Sequence, residues 1–338
     1  MTQTSWTPPD SSAAGATLET FILEGMFKVP GATGAFTSLL NQIGLAAKLI
    51  ANRVRRAGLA DVLGWTGDTN VQGESVQKLD VISNDTFIAV LRRRGHCMGI
   101  ASEELDDAVL FPHATGGYLV TVDPLDGSSN IDVDISIGTI FGILRADSRP
   151  ITTASFLKPG REFSAAGYVI YGSSTVLVMT TGEGVHGFTW DPGAGEFFLS
   201  HENIRCPQKG NLYSVNEGNA SRWTPGVRAW NEHVKSVDVA DGRPYSQRYV
   251  GSLVADAHRT LLKGGIFAYP ADTKSPEGKL RLLYEAGPMA FIFEAAGGSA
   301  STGTGRVLDV VPQTLHSRCP LIIGSRSDVA TFERFSRG

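Results

Sequence analysis

Tyr118-Leu119-Val120-Thr121-Val122-Asp123-Pro124-Leu125-Asp126-Gly127-Ser128-Ser129-Asn130 is the stretch from which the rest of the chain can be read. Its first five residues, β-branched, aromatic or aliphatic, predict a buried strand. The residues after them deliver two carboxylates, Asp123 and Asp126, to the strand's tip. Pro124 fixes the bend between them, and Gly127 lets the backbone turn back towards a ligand. An ordinary type I turn also uses Asp, Pro and Gly. Against that plain reading stand the strand ahead, the small polar residues behind and Ser102-Glu103-Glu104 upstream. Carboxylates converging without basic partners repel one another and require cations, and an all-oxygen ligand set suits Mg²⁺ or Mn²⁺. Gly127, Ser128 and Ser129 offer N–H groups and hydroxyls that suit a phosphate. Cation, phosphate and water at one strand end imply phosphate-ester hydrolysis.

At 338 residues the chain is long for one core and predicts about two domains. With 42% hydrophobic and 19% charged residues it has the make-up of a soluble globular protein. A net charge of −4 implies no basic face for nucleic acid. No apolar run approaches the ~20 residues that span a bilayer, so neither nucleic acid nor membrane is an expected partner. Cys97, Cys206 and Cys319 are far apart and show no C-x-x-C spacing, which predicts reduced thiols and a cytoplasmic location. Residues 1–17 begin polar, with Pro8 and Pro9 and no apolar signal core, and are expected to form a flexible tail.

From Thr33 onward, Phe36, Leu39, Leu40, Ile43, Ala47, Ile50 and Val54 recur at helical spacing, with Gly58 past the end. Gly64 to Gly73 reads as a loop. A second helix opens within Lys78 to Asp85, with Ser83 or Asn84 as its cap, and breaks at Gly95. Sheet follows in Ser136 to Leu144, in a hairpin of Gly167 to Tyr171 with Thr175 to Thr180, and in Val185 to Trp190 with Glu196 to Leu199. The polar stretch from His201 to Gly210 places a domain boundary, dividing 18–205 from 206–338. Beyond it, strands at Leu212 to Val215, Ile266 to Tyr269 and Leu321 to Ile323 alternate with helices. These helices are Pro225 to Val237, Ser252 to Lys263 and Leu280 to Ala296, the last kinked by Pro288. The fold class is layered α/β (α+β).

Other signals are weaker taken singly. Glu103-Glu104, extended by Asp106 and Asp107, has the look of a solvated acidic face, and Asp80 at a helix start reads as dipole compensation. Glu285 is different, because a carboxylate in a mostly apolar helix is costly unless it meets a cation. Arg248, Tyr249, Tyr269, Lys274, Lys279 and Arg281 read either as scattered surface charge or as a second anion site gripping a remote phosphate. Asp132-Val133-Asp134-Ile135-Ser136 imitates a phosphatase D-x-D-x-T but follows a loop where that motif closes a first strand. Ser128 has no nucleophile elbow around it, and no phosphate loop of the G-x-x-x-x-G-K type is present.

Taken in order, these motifs resemble the class I fructose-1,6-bisphosphatase family, within the wider lithium-sensitive, metal-dependent sugar phosphatases. The resemblance is carried by Lys78 to Asp85, Ser102-Glu103-Glu104, Asp123 to Asp132, Ser136 to Gly142 and Ala165 to Tyr168. It continues through Asn216-Glu217-Gly218, Arg248 to Ser252, Gly264 to Pro270 and Lys279 to Glu285.

The resemblance implies a five-layered α-β-α-β-α sugar phosphatase fold, with two mixed sheets between helix layers. It implies an N-terminal regulatory, AMP-type domain that carries the metal loop, and a C-terminal substrate domain. The implied reaction is hydrolysis of the 1-phosphate of fructose 1,6-bisphosphate with Mg²⁺ or Mn²⁺, by a homotetramer, in gluconeogenesis or the reductive pentose phosphate (Calvin) cycle. Sedoheptulose 1,7-bisphosphate is the alternative substrate, and a catalytically silent sugar-phosphate sensor the alternative of another class. By position, Glu103, Glu104, Asp123, Asp126, Glu285 and the Leu125 carbonyl would hold the metals, while Asp80 with Glu104 would orient and deprotonate the attacking water. Asp126, Gly127, Ser128 and Ser129 would meet the reacting end of the substrate. Asn216, Tyr249, Tyr269 and Lys279 would bind the 6-phosphate, helped by Arg248 from a neighbouring subunit. Asn219 replaces a tyrosine of the mammalian-type pattern and leaves the length of the sugar open. At the family's AMP site Thr33, Gly34, Thr37, Tyr118 and Arg145 match, whereas Ala35 and Gly117 replace a glutamate and a lysine, which implies a weakened AMP response. Arg145 to Gly160 contains no cysteine, so a thioredoxin switch is expected to be absent.

Overall fold

The helical spacing read after Thr33 and from Lys78 becomes α2 (Ala35–Val54) and α3 (Lys78–Leu91); α1 (Leu18–Phe27), which the sequence reading did not include, precedes them, and a hairpin of β1 (Trp65–Thr69) and β2 (Ser75–Gln77) lies ahead of α3. The computed structural model describes residues 15–27, 34–57, 59, 65–69, 75–147 and 149–337. Thr33, Gly58, the expected tail up to residue 14, and Gly64 and residues 70–73 of the expected loop lie outside them, while the rest of that loop, Trp65–Thr69, is strand β1 and no loop.

The β-rich centre forms an eight-stranded sheet from β3 (Cys97–Ser102), β4 (Val109–Leu110), β5 (Tyr118–Asp126), β6 (Ile137–Arg145), β7 (Phe163–Tyr171), β8 (Thr175–Thr180), β9 (His186–Asp191) and β10 (Glu196–His201). Its order is β10-β9-β8-β7-β6-β5-β3-β4, antiparallel except for the β3–β5 pair. A second, five-stranded sheet joins β11 (Leu212–Ser214), β12 (Ser246–Gln247), β13 (Ile266–Tyr269), β15 (Ser299–Ser301) and β17 (Leu321–Gly324), in the order β12-β11-β13-β17-β15. The short strands β14 (Leu280–Arg281) and β16 (Arg318–Cys319) pair beside it.

The two sheets are layered by their helices. α2 and α3 cover one face of the larger sheet, and α5 (Leu253–Lys263) and α6 (Gly287–Ala295) fill the space between the sheets. α4 (Pro225–Lys235) and α7 (Arg326–Arg337) close the outer face of the smaller sheet, where Trp230 and Phe332 pack on Ile266 and Ile322. This is the expected α-β-α-β-α order. Every residue of β5 after Tyr118 is buried, as a strand covered on both faces must be.

Several elements differ from the sequence reading. α3 begins after Gln77, whose N–H donates to Asp80 Oδ2 at 2.9 Å, and not after Ser83 or Asn84, which are buried further along the helix. The expected helix Leu280 to Ala296 begins instead as a strand, then a π-helical turn, and Pro288 starts α6 in place of kinking it. α1, α7, β3 and the short strands β4 and β15 are among the elements that went unread. α7 turns only Asp328, Val329 and Phe332 inward, too few apolar residues to show a period. Ala16 and Thr17, expected in the tail, pair with β10. All three cysteines are buried and free, and no helix among the described residues is long and apolar enough to cross a membrane.

Between the sheets, Leu253, Val254, Ala257 and Leu261 of α5 pack on Ile140 and Tyr168 of the larger sheet. Burial of each large aliphatic chain contributes about 1.5–3 kcal/mol. The approach is close at Gly138, where a β-carbon would lie 2.4 Å from the Val169 carbonyl and 2.7 Å from both Val254 methyls. Gly138→Ala should therefore cost about 1–3 kcal/mol through overpacking, read as a lower midpoint in urea or heat; an unchanged midpoint would contradict this packing.

Candidate active site

β5 ends where the layers meet. Asp123 and Asp126 are three residues apart and would face opposite ways on a regular strand. The register slips between them, Asp123 opposing Ile140 while Asp126 opposes Gly138, so one extra residue bulges out on β5. Pro124 has no N–H for the ladder and sits in that bulge, and Thr139 Oγ1 donates to its carbonyl at 2.8 Å. Both aspartates thereby reach one cleft. Gly127 follows with φ 77°, a left-handed conformation that favours glycine, and Ser128–Val133 forms a short 3₁₀ helix.

Glu285 arrives from the other side on the π-helical turn Leu282–Ala286. There the Gly287 N–H donates to the Leu282 carbonyl, and the following Pro288 has no N–H to give. Such widened turns recur at functional sites. Carboxylate oxygens of Asp123, Asp126 and Glu285 come within 4.8 Å of one another. Glu103 and Glu104 follow the end of β3 into the same cleft, and Asp80 lines it from the first turn of α3.

The cleft encloses about 700 Å³. Leu125, Gly127, Ser128, Ser129, Asn216, Tyr249, Tyr269 and Lys279 also line it, so one cavity gathers almost every residue singled out in the sequence. Lys279 Nζ stands 5.8 Å from the centre of the Tyr269 ring, and Tyr249 and Asn216 share the same wall. Arg248 is exposed and lines not the cleft but an adjoining hollow, with Glu217, Gln247 and Arg259, that shares Asn216 and Tyr249 with it.

Two expectations need correction. The acids do not converge without a basic partner, because Arg281 Nε lies 3.2 Å from Glu103 Oε1 and both side chains are almost wholly buried. Arg281 is thus a counter-charge to the acidic cluster, which is neither of the two readings, surface charge or anion site, that its sequence neighbourhood offered. Lys274 is exposed and stands outside the cleft, as does Asn219, whose Oδ1 accepts from Arg222 Nη2. Sequence reasoning also missed Gln77, Ser252 and Asp256 along the cleft wall. Asp256 had a readable signal, an acid set among the apolar positions of a helix.

Burial and mutual repulsion set the electrostatics. Asp123 is raised well above the usual carboxylate range, first by burial and then by the charges of Glu103, Asp126, Glu285 and Glu104. Glu285 is raised likewise by burial and by Glu103, despite the Arg281 N–H that donates to Oε2 at 2.6 Å. Burial pushes Asp126 up to about 7, opposed by the Val254 N–H at 2.9 Å from Oδ2. Buried oxygen donors, close together and resisting ionisation, fit a hard divalent cation.

Away from the cleft, Gly34 opens α2 with φ 76°, Thr37 is buried, and Tyr118 lies between the Phe36 ring at 5.2 Å and the Arg145 guanidinium at 5.5 Å.

Comparison with known proteins converges on one family. A family model described as "Fructose-1-6-bisphosphatase, N-terminal domain" matches residues 16–202, and "Fructose-1-6-bisphosphatase, C-terminal domain" matches residues 206–337. A class 1 fructose-1,6-bisphosphatase of Sorangium cellulosum is 65% identical, covering 99% of this chain and 97% of that relative. One from Chlorobium luteolum is 53% identical, over 95% of this chain and 98% of the other. Among solved structures, the holo form of Leishmania major fructose-1,6-bisphosphatase superposes with a TM-score of 0.90 at 42% identity, covering 95% of this chain and 99% of that one. With both halves matched and relatives alike over nearly the full length, the chain belongs to the class 1 fructose-1,6-bisphosphatase family.

Proposed function

We propose that this chain hydrolyses the 1-phosphate of fructose 1,6-bisphosphate, giving fructose 6-phosphate and inorganic phosphate. The observation that carries the reading is a single cleft in which clustered carboxylates share walls with a lysine and two tyrosines. A sugar bearing two phosphates suits that pairing.

Asp123, Asp126 and Glu285, with Glu103, Glu104 and the Leu125 carbonyl, would hold Mg²⁺ or Mn²⁺. Bound there, the cations supply positive charge that neutralises phosphate oxygens and acidifies water. Asp80 and Glu104 orient the attacking water and take its proton. Gly127, Ser128 and Ser129 present the opening N–H groups and hydroxyls of the 3₁₀ turn to the transferred phosphoryl group. Asn216, Tyr249, Tyr269 and Lys279 grip the remote phosphate, so binding energy gained far from the reaction fixes the sugar in place. Arg248, exposed on its own subunit, serves the remote phosphate of a neighbour in a cytoplasmic homotetramer. The regulatory and substrate domains divide near residue 205.

The direct test is release of inorganic phosphate by purified protein with Mg²⁺, using fructose 1,6-bisphosphate and sedoheptulose 1,7-bisphosphate. Fructose 1,6-bisphosphate should be favoured about tenfold or more in kcat/KM, and equal efficiency would defeat the narrower substrate assignment. Asp123→Ala and Glu285→Gln should each lower kcat by about a thousandfold or more while leaving circular dichroism unchanged; near-native rates in either would remove the cluster from the mechanism.

Stability should depend on pH in a defined direction. Asp126 holds its proton in the metal-free native state up to about 7, against 3.8 unfolded, so its contribution is complete below 3.8 and lost as pH rises through about 7. Asp123 and Glu285 act in the same sense. In chelator, the melting temperature should fall between about pH 4 and about pH 7, and Mg²⁺ should restore it most at the upper end. Asp126→Asn should flatten the slope; a native profile already flat across that window would refute the assignment.

A further inference from the structure

Asp256 stands beside the residues assigned above and has no exposed surface. It sits in the first turn of α5 among Leu253, Val254, Ala257 and Leu261, where a carboxylate must be held by donors to persist. The Val250 N–H lies 3.1 Å from both its oxygens, the Gly251 N–H donates to Oδ2 at 2.9 Å, and Ser214 Oγ donates to Oδ1 at 2.9 Å. Arg259 Nη2 stands 2.5 Å from Oδ1 and also donates to the Arg248 carbonyl. Val250 and Gly251 follow Tyr249 directly, and Ser214 closes the strand that leads to Asn216. One carboxylate therefore fastens both segments that bring Tyr249 and Asn216 to the cleft wall. The same helix is tied at its start to the acidic cluster, through the Val254 N–H on Asp126.

We propose that Asp256 is a positioning residue for the remote phosphate of the substrate. It holds the segment from Arg248 to Ser252 against β11, so that Tyr249 and Asn216 await the phosphate already placed, and Arg259 supports it from the solvent side. The inference rests on the functional reading above. Asparagine is no substitute, because its amide would bring N–H groups to a site where Val250, Gly251, Ser214 and Arg259 already donate.

The test compares fructose 1,6-bisphosphate with fructose 1-phosphate, which lacks the remote phosphate, at saturating Mg²⁺. In Asp256→Asn the KM for the bisphosphate should rise about tenfold with kcat within about twofold of native, while kcat/KM for fructose 1-phosphate stays within about twofold. Arg259→Gln, a milder change at a part-exposed side chain, should show the same split at about threefold and gives a reading even where Asp256→Asn fails to fold. An equal loss on both sugars, or no loss on either, would overturn the positioning role while native activity stood. A native protein unable to release phosphate from the bisphosphate would overturn the functional reading itself.

Discussion

Holding Asp123, Asp126 and Glu285 within 4.8 Å of one another beneath the surface is the constraint on which the rest of the structure depends. Burial strips each carboxylate of water, and each charge opposes the next. The chain meets this with local donors: the Leu125 N–H on Asp123 at 3.0 Å, the Val254 N–H on Asp126, and the Arg281 N–H on Glu285. Arg281 also offsets Glu103. These groups moderate the repulsion without cancelling it, since all three clustered acids remain raised.

The donors come from different layers. Asp123 and Asp126 belong to the larger sheet, Val254 to a helix between the sheets, and Arg281 to a strand beside the smaller sheet. No one layer builds the site alone. The helices that join the sheets carry apolar side chains for packing and polar groups for the cleft on the same few turns, as α5 does with Val254 and Asp256. Packing and function are therefore coupled there, and a substitution that loosens one layer displaces groups belonging to another.

Much of this was legible in the sequence, for identifiable reasons. β5 was readable because a strand covered on both faces must be continuously apolar, and Gly127 because a sharp turn beside carboxylates limits the choice of residue. Glu285 was readable as a charge out of place. Arg281 was misread because local sequence cannot say which neighbour a cation meets, and its partner Glu103 lies in another layer. The π-helical turn went unread because its residues have ordinary helical character and only the missing N–H of Pro288 marks the change. Asp256 was passed over although it falls among the apolar positions of α5, because the donors that hold it, Val250 and Gly251, come from the loop ahead of the helix.

The π-helical turn ahead of α6 has a bearing on how this region can change. An α-helix advances about 100° per residue, and the widened turn accommodates an additional residue without rotating the helix beyond it. Glu285 can therefore point into the cleft while Met289, Ile292 and Phe293 keep their apolar side chains inward. Deleting a single residue between Leu282 and Ala286 would regularise the helix and swing the carboxylate out of phase with its hydrophobic seam. Insertions and deletions here are thus constrained by angular phase, even where every remaining side chain is unaltered.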